Sequence, residues 1–116
     1  MDVIEQLVHG LAEVLAKILF NKTVPKEVYD QIAAMDLDEL DFLLGALIAA
    51  GRPEQAEDIL FAQFEMNPSR ELFDLGTEMY GKISVFSDEQ LETFEFSRGE
   101  IERGKQDLEK LFAAKK

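Results

Sequence analysis

Hydrophobic residues recur along this chain with the three-then-four spacing of amphipathic helices, and residues that end helices separate the stretches. Apolar residues at positions 4, 7, 11, 14 and 18 predict a first helix over about 2–20. Polar residues at 21–23 then break the pattern. Pro25 opens a short helix over about 25–34, because the N–H that proline lacks would be unpaired in the first helical turn anyway.

The stretch from Leu37 to Pro68 carries the clearest structural signal. Asp36 and Glu39 have the spacing of a capping box and start a central helix at about 37. This helix is apolar nearly all round, which predicts burial on several sides; its apolar residues are Leu40, Phe42, Leu43, Leu44, Leu47 and Ile48. Gly51 ends it, and Pro53 opens a second helix over about 53–66. The pattern predicts two tightly packed antiparallel helices.

Three further helices are predicted after this pair, over about 68–82, 88–95 and 98–113. Ser87 with Gln90 and Ser97 with Glu100 mark capping boxes at the starts of the last two. No strand-like alternation occurs. We therefore predict an all-α fold of stacked antiparallel helices, forming one domain over residues 1–116. The glycines at 10, 45, 76 and 104 fall inside helices, which indicates either close backbone approach or neutral variation.

The run GALIAAGRPEQAEDILFAQFEMNP resembles a tetratricopeptide-type helical repeat. The matching residues are Leu43, Leu47, Gly51, Ala56, Leu60 and Pro68, whereas Gln63 and Phe64 depart from the repeat pattern. The resemblance implies one tetratricopeptide-like hairpin, over about residues 37–67, and a surface that binds a peptide or protein partner. A single repeat cannot bury its faces, so we expect the N- and C-terminal helices to cap it.

The whole chain also resembles a family of short uncharacterised bacterial proteins. The resemblance is carried by the N-terminal amphipathic helix, the helix pair, and a segment of the form FSRxEI, here Phe96-Ser97-Arg98-Gly99-Glu100-Ile101. That family has no assigned activity. The resemblance therefore implies a fold and a cytoplasmic location only.

Composition and charge narrow the range of partners. The net charge is −12 and its distribution is uneven, since residues 27–95 hold seventeen acidic against three basic side chains. Such a surface repels nucleic acids and anionic lipids, and it either attracts a basic partner or serves only solubility. There is no long apolar stretch that could span a membrane and no export-like start, so we expect a cytoplasmic protein.

The sequence offers little catalytic or metal-binding chemistry. Cysteine is absent, and His9 is the only histidine, with no recognisable nucleophile or orienting group beside it. Residues 36–41 resemble the start of a calcium loop, but Asp41 stands where glycine is required and Leu47 where the bidentate glutamate would be. We therefore expect no enzyme activity, no metal and no cofactor.

Five phenylalanines remain after the helical stripes are assigned, and they form the candidate interface: Phe61, Phe73, Phe86, Phe94 and Phe96. They could instead form a second core layer or line a pocket. The leading hypothesis is a non-catalytic protein–protein interaction or scaffold module with an unidentified protein partner. It could also form a homodimer through the first helix. The alternative is a small-ligand-binding or regulatory helical domain with an aromatic-lined pocket.

The helix pair also yields two contrasting stability predictions. Ala56 is expected at the contact between the two helices, so Ala56→Glu should destabilise severely. Glu57 is expected on the surface, so Glu57→Ala should change stability by no more than about 0.5 kcal/mol.

Overall fold

The computed structural model describes the backbone of residues 3–114 and the side chains of residues 10–114. Within that part of the chain there are seven helices and no strand, which confirms the all-α prediction. The helices are α1 (Val3–Leu19), α2 (Lys26–Ala33), α3 (Leu37–Ala49), α4 (Pro53–Met66), α5 (Arg70–Ser84), α6 (Asp88–Thr93) and α7 (Arg98–Ala114). The side chain of His9 and the first part of the α1 stripe lie outside the described residues.

The α3–α4 pair lies between flanking helices on both sides. α1 and α5 pack against α3, α2 packs against α4, and α7 runs along α5. The connections between consecutive helices are short, and those after α1, α3 and α4 join helices that contact each other. The core draws on every helix; its fully buried members include Ile18, Val28, Leu47, Ile59, Leu60, Phe64, Tyr80 and Ile83.

α3 and α4 contact each other, and α4 carries a small, fully buried residue close to the turn that joins them. Ala56 is 0% exposed, as predicted. Leu47 of α3 and Leu60 of α4 are buried in the same core. A larger side chain at position 56 would have to displace this close-packed surrounding.

The turn after α3 has the hydrogen-bond pattern of a Schellman motif. Gly51 adopts a φ of 79°, the left-handed conformation that the sequence predicted. Its N–H donates to the carbonyl of Ile48 at 3.0 Å, and the N–H of Arg52 donates to the carbonyl of Leu47 at 2.8 Å. An added Cβ at Gly51 would lie 2.9 Å from the ring of Phe94, so both conformation and space require glycine here.

Two side chains from the start of α4 hold the end of α1, a feature that the sequence analysis did not predict. Gln55 is 3% exposed, and its Nε2 donates to the carbonyls of Ile18 at 3.2 Å and Asn21 at 2.9 Å. Arg52 donates from a guanidinium nitrogen to the carbonyl of Leu19 at 2.9 Å. These bonds satisfy carbonyl groups that the end of a helix leaves unpaired.

The helices start at the predicted capping residues, except that the fifth helix starts later than predicted. Asp36 and Ser87 each form the predicted capping box. The hydroxyl of Ser97 accepts from the N–H of Glu100 at 3.1 Å. The fifth helix begins at Arg70 and not at 68, because the side chain of Ser69 caps it.

The sixth helix ends at Thr93, two residues before its predicted end. Glu95 has a φ of 57° and occupies the left-handed position of a second Schellman motif. In that motif the N–H of Phe96 donates to the carbonyl of Leu91 at 2.9 Å. This turn has no recognisable signature in the sequence, because glutamate, and not glycine, stands at the left-handed position.

Two of the four glycines considered in the sequence analysis, Gly76 and Gly104, lie at close contacts. An added Cβ at Gly76 would lie 2.6 Å from Leu108 and 2.8 Å from Leu60, and one at Gly104 would overlap the hydroxyl of Tyr80. At Gly45 the nearest atom, the Nζ of Lys82, would be 3.9 Å away. At Gly10 no described atom lies within 4 Å. Close approach therefore explains Gly76 and Gly104 but not the other two.

Candidate functional site

The structure places the five candidate interface phenylalanines mostly against the core. Phe61, Phe73, Phe86 and Phe94 are half-buried and pack against it. Phe96 is 4% exposed and belongs to the core, so its assignment to an exposed patch is wrong. Its burial follows from the second Schellman motif, which folds Phe96 back over the equally buried Leu91.

The half-buried phenylalanines are largely occupied by contacts with one another. Phe73 of α5 stacks on Phe112 of α7 with ring centroids 4.5 Å apart, and Phe112 also meets Phe64 edge-on at 6.1 Å. Phe86 and Phe94 form an edge-to-face pair at 5.1 Å. These pairs join α7 and the α6 region to the rest of the domain. They are typical of a second core layer, one of the three roles considered for them.

The FSRxEI segment has a structural role at the junction of α5, α6 and α7. Phe96 and Ile101 are buried, and Ser97 caps α7. The guanidinium of Arg98 donates to the carboxylate of Asp88 at 2.6 Å and to the carbonyl of Phe86 at 2.8 Å. The segment therefore fixes how the last helix leaves the turn after α6.

The exposed apolar surface is found on α3 instead. This helix buries one side, formed by Leu40, Leu43, Leu44, Leu47 and Ile48. Phe42, however, is 59% exposed, so the expected burial of α3 on several sides is wrong for this residue. Gly45 and Ala46, three and four residues after Phe42, are half-buried. Ala49, seven residues after it, is exposed. They continue along the same helical face, which we call the open face of α3.

Other large apolar side chains are exposed singly, except for two that line one cleft. Phe20, which follows α1, is 88% exposed, and Val85, which follows α5, is 84% exposed. Leu37 and Met66, at 44% and 68%, line a cleft at the end of the helix pair. Isolated exposed apolar residues are common in soluble proteins. The open face of α3 differs because its four residues, from Phe42 to Ala49, lie next to one another on the helix surface and carry no charge.

A second surface feature is an acidic cleft between α4 and α7 of about 480 Å³. Its carboxylates are Glu54, Glu57, Asp58, Glu95, Glu100 and Asp107, and its other lining residues are Phe61, Arg103 and Gly104. The six carboxylates face a single basic side chain. The cleft is therefore strongly negative, which agrees with the acidic middle of the sequence.

Glu57 lies at the base of this cleft and is not a plain surface residue. The hydroxyl of the fully buried Tyr80 donates to its carboxylate at 2.5 Å. Burial raises the pKa of Glu57 above its ordinary value; the hydrogen bond from Tyr80 lowers it, while Asp58 and Glu100 raise it further. The premise of the Glu57→Ala prediction is therefore wrong, because truncation would leave a buried hydroxyl without its acceptor.

The pKa values of the neighbouring titratable groups are raised as well. Burial raises the pKa of Asp58, and repulsion from Glu54 adds to it. Burial also raises the pKa of Tyr29, with a further contribution from Asp58, and raises that of Tyr80. Tyr80 therefore remains a protonated donor throughout the physiological range.

A metal site, an aromatic-lined pocket and a membrane-spanning helix are three further features on which the structure bears. Among the described residues, no group of three or more His, Asp or Glu side chains is arranged to hold a metal ion. Four clefts between described residues each contain at most one phenylalanine, so none of these four is the aromatic-lined pocket of the alternative hypothesis. Within the described part of the chain, no helix is both long and apolar enough to cross a membrane.

Comparison with known proteins gives one match. The model of a family of unknown function, DUF6483, matches residues 1–113. Neither the comparison with curated proteins nor that with solved structures gives a match.

Proposed function

The chain belongs to the family of unknown function DUF6483, and we propose that it is a non-catalytic protein-interaction module that binds its partner through the open face of α3. The resemblance of residues 37–67 to a tetratricopeptide hairpin supports this proposal, since such hairpins bind peptides and proteins. The choice of the open face as the binding surface rests on the contacts and exposure of α3.

The exposure of Phe42 is the observation that carries the proposal. α3 already has neighbours in α1, α4 and α5. Its remaining side still presents a phenylalanine that is 59% exposed, followed along the helix by Gly45, Ala46 and Ala49. Burying the rest of Phe42 against a partner would contribute about 1–2 kcal/mol. Exposed aromatic side chains next to small residues are typical anchors of protein interfaces.

The charges beside the open face favour a partner with basic residues. Asp38 is exposed four residues before Phe42. Asp41 is half-buried, and its carboxylate lies 3.6 Å from the Nζ of Lys82. The chain as a whole carries a net charge of −12. We therefore propose that the partner presents an apolar side chain flanked by lysine or arginine, whereas two copies of this chain would repel each other.

The direct test compares two serine substitutions of exposed apolar residues. Phe42→Ser removes the proposed anchor, and Val85→Ser is the matched control, since Val85 is 84% exposed outside α3. Tagged wild type and both variants are used to capture proteins from a lysate of the source organism, and captured proteins are quantified by mass spectrometry. We expect partners with wild type and with Val85→Ser, and at least a tenfold loss with Phe42→Ser.

Equal capture by all three proteins would contradict the proposal, and so would the absence of any protein that wild type and Val85→Ser capture and Phe42→Ser does not. Light scattering coupled to size exclusion measures the oligomeric state of wild type and of each variant. A dimer that Phe42→Ser dissociates would show that the open face binds a second copy, and would refute the basic partner. Circular dichroism of each variant establishes that both retain the wild-type helix content.

A further inference from the structure

Three helices meet at a single polar contact. Tyr80 of α5 is fully buried and its hydroxyl donates to the carboxylate of Glu57 on α4 at 2.5 Å. α7 passes over this pair at Gly104, where an added Cβ would overlap both groups. α7 can therefore approach the Glu57–Tyr80 pair this closely only because residue 104 is glycine.

Nearly all charges that face Glu57 have the same sign as its carboxylate. Glu54 and Asp58 belong to its own helix, Glu100 and Asp107 come from α7, and Glu95 comes from the turn before α7. Arg103 is the single basic group lining the cleft, and Tyr80 faces Glu57 from α5. The packing of α7 against α4 therefore places the carboxylates of α7 near the partly buried carboxylate of Glu57.

Apolar contacts hold α7 in place against this repulsion. Leu108 is 1% exposed and lies against Gly76, and Phe112 stacks on Phe73. Apolar contacts and cleft carboxylates therefore alternate along α7, since Ile101 and Leu108 are buried while Glu100 and Asp107 line the cleft.

We propose that the contact of α7 with α4 is proton-sensitive, so that protonation of Glu57 tightens it and ionisation of Glu57 loosens it. The contact would act as a conformational switch that exposes Tyr80 and the cleft lining when α7 moves away.

The sign of the effect follows from the two states of the chain. Burial, together with Asp58, Glu100 and Glu54, raises the pKa of Glu57 in the folded protein above its ordinary value of 4.5, despite the hydrogen bond from Tyr80. The stabilisation is complete below pH 4.5 and is lost as pH rises through the folded value. The raised pKa of Asp58 acts in the same direction.

Hydrogen exchange of backbone amides between pH 4 and pH 8, corrected for intrinsic exchange rates, tests the proposal. Three proteins are compared: wild type, Glu57→Gln, and Glu65→Gln as an exposed control on the same helix. In wild type, protection of α7 should be lost with rising pH relative to α3, because ionisation of Glu57 removes the stabilisation. Glu57→Gln, which keeps an acceptor for Tyr80, should abolish most of this dependence, and Glu65→Gln should keep it.

Identical pH dependence in wild type and Glu57→Gln would overturn the proposal. A carbon-detected NMR titration of Glu57 in the wild-type protein gives an independent result that does not depend on the variant folding. A midpoint above 4.5 is expected, and one at or below 4.5 would also overturn the proposal.

Discussion

Two substitutions of glycine by alanine inside helices should change stability in opposite directions. Gly45 of α3 and Gly104 of α7 both lie within helices, and alanine is intrinsically favoured over glycine there by about 1 kcal/mol. At Gly45 the added methyl group would lie 3.9 Å from the Nζ of Lys82, an ordinary contact with a flexible side chain. Gly45→Ala should therefore stabilise the protein by about 0.5–1 kcal/mol.

At Gly104 the same methyl group overlaps the hydroxyl of Tyr80 and lies 2.5 Å from the carboxylate of Glu57. Tyr80 is 0% exposed and has no open space to enter, so α7 must shift. Overpacking of this kind costs about 1–3 kcal/mol, and disturbing a hydrogen bond to a charged group costs about 1.5–3 kcal/mol. After subtracting the gain in helix propensity, Gly104→Ala should destabilise by about 1.5–5 kcal/mol.

Thermal unfolding followed by circular dichroism measures both effects. For a domain of this size, 1 kcal/mol corresponds to a change in Tm of about 4 °C. Gly45→Ala should raise Tm by about 2–4 °C, and Gly104→Ala should lower it by about 6–20 °C. If Gly104→Ala were as stable as wild type, the close approach of α7 to the Glu57–Tyr80 pair would be refuted.

Three further substitutions test other contacts. Ala56→Glu places a charge at a fully buried position and should cost more than about 4 kcal/mol, measured as loss of cooperative urea unfolding; a normal transition would contradict the packing of α3 on α4. Gln55→Leu removes the donors to the end of α1 and should cost about 1–3 kcal/mol, with faster hydrogen exchange after Ile18; unchanged exchange would show that these bonds are dispensable. Tyr80→Phe removes the hydrogen bond that lowers the pKa of Glu57, so the NMR midpoint of Glu57 should rise; a lower midpoint would contradict the assignment.

The sequence was sufficient to locate the helices and the α3–α4 contact because local rules determine these features. The capping residues Asp36 and Ser87 and the turn at Gly51 act on backbone groups within a few positions. Ala56 was identified because a small residue occurs where two helices joined by a short turn must touch. Such signals are contained in short stretches of sequence.

The features that the sequence did not reveal depend on distant parts of the chain. Phe42 looked like a core residue because its neighbours in sequence are apolar, and only the arrangement of the other helices leaves it exposed. Glu57 looked like a surface acid, since its partner Tyr80 comes from another helix. Phe96 was placed in a patch because Glu95, at the left-handed position, concealed the turn that buries it. A buried glutamine such as Gln55 likewise has no local signature.

The surface used for binding can be observed directly by NMR once a partner has been captured. Phenylalanine and alanine side chains of the full chain are isotopically labelled, and spectra are recorded with and without that partner. We predict that the signals of Phe42, Ala46 and Ala49 shift or broaden on binding, while those of Phe86 and Phe94 remain unchanged. Changes confined to Phe86 and Phe94, with no effect on Phe42, would contradict the assignment of the interface to the open face of α3.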